Sequence, residues 1–108
     1  MLRATGQWPD GSLAEAAALV ARKPWDSRRA AFLEGDSISV LIAPRRRDER
    51  HASDVTVTMR PVPAAAARSV AVVLTGPAGC WWARLDAAGH CTIRDVPDAQ
   101  YCVRLEPR

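Results

Sequence analysis

Apolar and polar residues alternate over several short stretches of the chain, which is typical of β-strands with one buried face. The clearest stretch is 54–60, where Val55, Val57 and Met59 alternate with threonine and arginine. The same alternation marks 37–43, the segment that starts at Val70, and three stretches near Trp81, Cys91 and Tyr101. Six strands joined by short turns predict a mainly β protein, a small antiparallel β-sandwich.

The C-terminal segment 68–108 carries the turn signals that order these strands. Gly76-Pro77-Ala78-Gly79 and Asp86-Ala87-Ala88-Gly89 combine residues that favour tight turns, and Val96-Pro97-Asp98-Ala99 provides the last one. If the Asp86 turn closes a hairpin, one face holds Trp81, Ala83, Leu85, Cys91 and Ile93. The opposite face is then expected to gather Trp82, Arg84, His90, Thr92, Arg94, Cys102 and Arg104 from three strands.

The first 36 residues have a helical pattern instead, which divides the chain into a helical segment, 1–36, and a β-sandwich domain, 37–108. Leu13, Ala16, Ala17 and Val20 form an apolar stripe at helical spacing, and Pro24 ends that helix. A second short helix is predicted from Asp26 as N-cap through Leu33. Because isolated helices this short are marginal in water, they must pack on the sheet or on a partner.

The run from Leu85 to Leu105 resembles the end of carboxypeptidase-regulatory-like domains, which have a transthyretin-like (prealbumin-like) β-sandwich. The residues that fit this pattern are Gly89, Ile93, Val96, Pro97, Tyr101, Val103 and Leu105. Cys91 stands where a buried aromatic residue is usual, and Gln100 stands where a glycine usually precedes the tyrosine. The resemblance covers about the C-terminal third of the chain. It implies a β-sandwich that acts as a non-catalytic scaffolding, accessory or binding module.

Composition places the chain among ordinary globular domains. It has 108 residues, of which 48% are hydrophobic and 25% charged, and its net charge is +3. No signal-peptide core and no run of about 18 apolar residues is visible, so a cytoplasmic protein without a membrane segment is expected. In that compartment the three cysteines are expected to be thiols.

Patterns that would indicate catalysis or cofactor binding are missing from the sequence. There is no glycine-rich phosphate loop, no nucleophile elbow and no C-x-x-C pair. His90 and Cys91 are adjacent, but neighbours on a strand point to opposite faces. The sequence therefore predicts no enzyme, no cofactor and no metal site.

Surface residues suggest two kinds of partner. The first is another protein, bound through the N-terminal helices or the tryptophan–arginine face, with Trp82, Arg84, Arg94, Arg104, Trp25 and Phe32 as contacts. The alternative is nucleic acid, contacted by Arg45, Arg46, Arg47 and Arg50 of the charged stretch 45–53 together with the arginine face. The alternatives are that this stretch is a solvated loop and that the arginines serve only to cover Trp82. An edge strand also permits a homodimer.

Overall fold

The chain folds into one helix and eight strands within residues 11–21, 24–47, 51–61 and 70–107, which the computed structural model describes. The helix is α1 (Gly11–Val20). The strands are β1 (Trp25–Asp26), β2 (Ala31–Glu34), β3 (Ser39–Arg46), β4 (Ala52–Arg60), β5 (Val70–Gly76), β6 (Gly79–Arg84), β7 (His90–Pro97) and β8 (Gln100–Pro107). The mainly β prediction is confirmed, with eight strands in place of six.

The strands form two antiparallel sheets of four. The first sheet has the order β1-β8-β5-β6 and the second the order β2-β3-β4-β7. The β5–β6 hairpin closes at the predicted turn, where Gly76 pairs with Gly79. Glycine is needed twice here, because Gly79 has a φ of 143° and a side chain at Gly76 would collide with the ring of Tyr101.

The second predicted helix was wrong, since the residues assigned to it form β1, a turn and β2. The side chains of β2 alternate between half-buried Ala31 and Leu33 and exposed Phe32 and Glu34. Pairing of β2 with β3 overrides the helical propensity of this short segment. The carboxylate of Asp26, the expected N-cap, instead accepts a hydrogen bond from the backbone N–H of Arg28 in the turn.

The predicted hairpin between the Trp81 and Cys91 strands was also wrong. The turn at Asp86 exists, and its carboxylate accepts hydrogen bonds from the N–H groups of Ala88 and His90. However, β6 pairs with β5 in the first sheet, whereas β7 pairs with β4 in the second. The turn therefore connects a strand of the first sheet to a strand of the second. The turn residues alone do not determine whether the two flanking strands pair with each other.

One hydrophobic core collects side chains from α1 and from both sheets. The apolar stripe of α1 is buried as predicted, and the helix packs on β8, β3 and β2 of its own chain. Trp81 and Ala83 of β6 and Cys91 and Ile93 of β7 all contribute to this core or pack against it. The inner-face residues were thus correctly identified although their sheet was not. No helix in the described part of the chain is long and apolar enough to cross a membrane.

Candidate interaction surfaces

The outer face of the first sheet is organised in rows across β6, β5 and β8. Backbone register places Val73 between Trp82 and Arg104, and it places Ala71 between Arg84 and Glu106. Residues directly opposite each other on neighbouring strands share a face and contact each other. We call the face formed by Trp82, Arg84, Arg104 and Glu106 the Trp82 surface.

Two apolar residues of β5 lie buried beneath the Trp82 surface. Val73 and Ala71 are 0% exposed, although they point away from the core cluster. Their neighbours on β6 and β8 cover them, which explains why β5 is buried on both faces and not alternately, as its sequence suggested. Trp82 itself is 47% exposed, so about half of its side chain stays accessible beside these neighbours.

Arg104 is held in place beside Trp82. Its Nη2 donates to Thr75 Oγ1 at 3.3 Å and lies 3.3 Å from Glu106 Oε1. Its Nε is buried and has no hydrogen-bond partner among the described residues. The guanidinium is therefore oriented by these two contacts.

Three residues expected on this face lie on a different one. His90, Thr92 and Arg94 belong to β7, and β7 is in the second sheet, so Arg94 does not join Trp82, Arg84 and Arg104. His90 Nδ1 instead lies 3.0 Å from Thr58 Oγ1 on the neighbouring strand β4. The predicted arginine face is thereby reduced to two arginines and one tryptophan.

Trp25 is a core residue and not an exposed contact. It is 6% exposed, its indole Nε1 donates to the carbonyl of Arg29 at 2.8 Å, and its ring centroid lies 6.2 Å from that of Tyr101. Pairing of β1 with β8 brings Trp25 opposite Tyr101, and this pairing buries it. Trp25 was predicted to lie outside the sheet as a partner contact, and its pairing in β1 contradicts that placement.

Phe32 is the most exposed large apolar side chain of the described residues, at 61%. It lies on the outer face of the second sheet in one row with Leu41, Thr58 and His90. Leu41 beside it is 39% exposed. This apolar pair at the β2 end of the sheet was missed as a unit, because a helical interpretation separates Phe32 from Leu41.

An apolar groove of about 420 Å³ runs beside Phe32, between β2, β1 and the end of α1. Its walls include Leu19, Val20, Leu33 and Ile42. The groove lies where the edge strands of the two sheets separate, so it exposes core side chains at that side of the molecule. No local sequence signal marks it, because its walls come from five separate elements, α1, β1, β2, β3 and β8.

The arginine stretch is more ordered than a charged loop. β3 continues through Arg46, whose Nη1 lies 2.8 Å from Asp98 Oδ2. Arg47 lies 3.2 Å from Asp54 and 3.9 Å from Asp95. The N–H of Asp95, with the charge of Arg47, lowers the pKa of Asp54. Arg45 is exposed on β3, and Arg50 lies outside the described residues.

The described residues contain no group of three or more histidine, cysteine or acidic side chains placed to hold a metal ion. Burial raises the pKa of the Cys91 thiol to about 12, which makes it an unreactive core residue. No family model, curated protein or solved structure matches this chain.

Proposed function

We propose that this protein is a non-catalytic interaction module that binds a partner protein through the Trp82 surface. The observation that carries the proposal is a tryptophan 47% exposed on the outer face of the edge strand β6, with Arg84 on its own strand and Arg104 two strands away. Tryptophan and arginine are the residues most enriched among binding hot spots. A large, rigid side chain on a paired strand also loses little conformational entropy on binding.

The platform for this surface is a β-sandwich of the transthyretin-like kind. Two four-stranded antiparallel sheets whose buried side chains join one core support that architecture. In such a fold the outer face of the first sheet is fixed from beneath by Val73 and the core. Free thiols at Cys80, Cys91 and Cys102 support a cytoplasmic location.

A protein partner agrees better with the charges than nucleic acid does. Arg46 and Arg47 of the arginine stretch are already in ion pairs with aspartates, and Glu106 places an acidic group on the Trp82 surface itself. Phosphate binding would have to compete with those carboxylates. Binding by the Trp82 surface is accordingly expected to persist at high salt, unlike phosphate contacts, whose affinity falls steeply with salt concentration.

The test compares the wild-type protein with Trp82→Ala as immobilised bait in an extract of the native host, at low and high salt. Trp82→Ala is expected to lose a partner that the wild type retains at both salt concentrations. Leu41→Ala is the control, because it removes a 39% exposed apolar side chain from the outer face of the other sheet and should retain the partner. A Trp82→Ala variant that is folded by circular dichroism and captures the same partner would refute the proposal.

A further inference from the structure

The outer edge of β2 presents hydrogen-bonding groups that no described residue uses. The N–H of Gly35 donates to the carbonyl of Ile38 at 2.7 Å, which makes these two residues a hydrogen-bonded pair of the β2–β3 register. Hydrogen-bonded and non-hydrogen-bonded pairs alternate along an antiparallel ladder. Leu33 therefore bonds to β3, whereas the N–H and C=O groups of Phe32 and Glu34 point to the open edge.

Features that normally protect an edge strand are scarce on β2. Natural edges carry bulges, prolines or lysines, or are very short, and these features prevent pairing with another chain. β7, the other edge of the second sheet, has a register shift where Asp95 adopts a φ of 58°, and β1 has two residues. The fourth edge, β6, is regular but carries the charged Arg84 and belongs to the Trp82 surface. β2 is regular over its four residues and carries the exposed Phe32, with the apolar groove along the same strand.

We propose that a second copy of this chain pairs with the β2 edge, antiparallel and about a two-fold axis that passes between the two Phe32 residues. Such an axis is perpendicular to the sheet, so the inner faces of both copies lie on the same side of the combined sheet. Because directly opposite residues share a face, even-numbered residues of one copy then pair with even-numbered residues of the other. Phe32 then lies opposite Phe32 of the second copy, and Glu34 lies opposite Ala30. The backbone groups of Phe32 and Glu34 face the open edge, so the residues that this symmetry pairs are also the residues that can form hydrogen bonds between the two copies.

Side chains at this interface favour the same arrangement. The two Phe32 rings become cross-strand neighbours on the outer face, where each ring is 61% exposed in the single chain. Basic Arg28 and Arg29 precede β2 and acidic Glu34 ends it. Arg28 is paired with Asp26 of its own chain, so antiparallel pairing brings Glu34 of each copy beside Arg29 of the other, whereas parallel pairing would align like charges. The β2 edge is separate from the Trp82 surface, so failure of one proposal would not refute the other.

Disulfide trapping tests the register. In a background where Cys80→Ser and Cys102→Ser remove the exposed thiols, Phe32→Cys is expected to oxidise to a covalent dimer. Hydrogen-bonded partners have Cα atoms about 5.5 Å apart, which is within the range a disulfide spans. Glu34→Cys is the matched control on the same strand and face. Position 34 of one copy lies about 13 Å along the strands from position 34 of the other, so the Glu34→Cys protein should stay monomeric under the same oxidation.

Sedimentation equilibrium of the reduced wild-type chain supplies the second readout. We expect twice the chain mass of 11.7 kDa, a shift to the single mass with Phe32→Lys, and no shift with Trp82→Ala. Phe32 is exposed, so its substitution should not unfold the chain, and circular dichroism checks this. A wild type that stays at the single mass at high concentration would overturn the proposal. Equal cross-linking of Phe32→Cys and Glu34→Cys would overturn the register.

Discussion

Replacing Tyr101 by phenylalanine tests how the first sheet is fastened to the turn before β8. The Tyr101 side chain is 1% exposed, and its hydroxyl donates to the carbonyl of Pro97 at 2.6 Å. Tyr101→Phe keeps the ring and removes this donor. We expect a loss of about 1–2 kcal/mol in the free energy of unfolding, because a poorly solvated carbonyl loses its best donor. A melting midpoint lower by roughly 4–8 °C per kcal/mol would accompany that loss.

A double-mutant cycle with Ser27 measures how the hydroxyl groups of Ser27 and Tyr101 share the carbonyl of Pro97. The Ser27 hydroxyl lies 3.4 Å from the Pro97 oxygen and also accepts the N–H of Ala99 at 3.0 Å. It is therefore the substitute donor when the tyrosine hydroxyl is absent. The double variant Ser27→Ala/Tyr101→Phe should lose more than the sum of the single variants, by an interaction energy of about 0.5–1 kcal/mol.

Urea unfolding followed by tryptophan fluorescence measures both effects, since the rings of Trp25 and Trp81 lie 6.2 and 5.7 Å from the Tyr101 ring. The dependence of the free energy on urea should be unchanged if only the native state is altered. Cys102→Ser, an exposed neighbour on the same strand, is the control and should stay within about 0.5 kcal/mol of wild type. A Tyr101→Phe protein as stable as that control would refute the reasoning.

Two further predictions concern titrating groups. Burial raises the pKa of the Cys91 thiol to about 12, so at pH 8 a thiol reagent should modify two cysteines promptly and the third only after unfolding; three equal rates would contradict this. Hydrogen bonds from the backbone and hydroxyl of Ser37 lower the pKa of Glu15. Their stabilising effect is complete above the unfolded pKa of about 4.3 and is lost as the pH falls through the lower folded value. Stability measured against pH should therefore fall less steeply in Glu15→Gln than in wild type, and parallel curves would refute the assignment.

The sequence predicted elements well where the pattern was long and one-sided. Val55, Val57 and Met59 are 0–1% exposed on β4, as their alternation indicated. β2 was missed because four residues carry too little periodicity to distinguish a strand from a helix, and alanine and leucine favour the helix. Pairing with β3 makes this segment a strand, and that pairing depends on residues outside the segment.

Prediction of the candidate surfaces from the sequence was likewise limited by contacts between strands that are distant in sequence. The sequence identified Trp82, Arg84 and Arg104 correctly as neighbours on one face, because their alternation fixes the face and β5 joins their strands. It added Arg94 wrongly, because the Asp86 turn changes sheet. Side-chain alternation tells which residues share a face of one strand, but only the sheet order tells which strands share that face.

The sheet order also separates the two proposed interfaces and gives them a joint consequence. The Trp82 surface is on the first sheet and the β2 edge is on the second, so dimerisation through β2 leaves both Trp82 surfaces available. A dimer then offers two equivalent binding sites to one partner assembly. When both sites engage, the second binding event is intramolecular, and overall affinity rises without any new contact. Pairing through Phe32 would thus strengthen binding by the Trp82 surface without enlarging that surface.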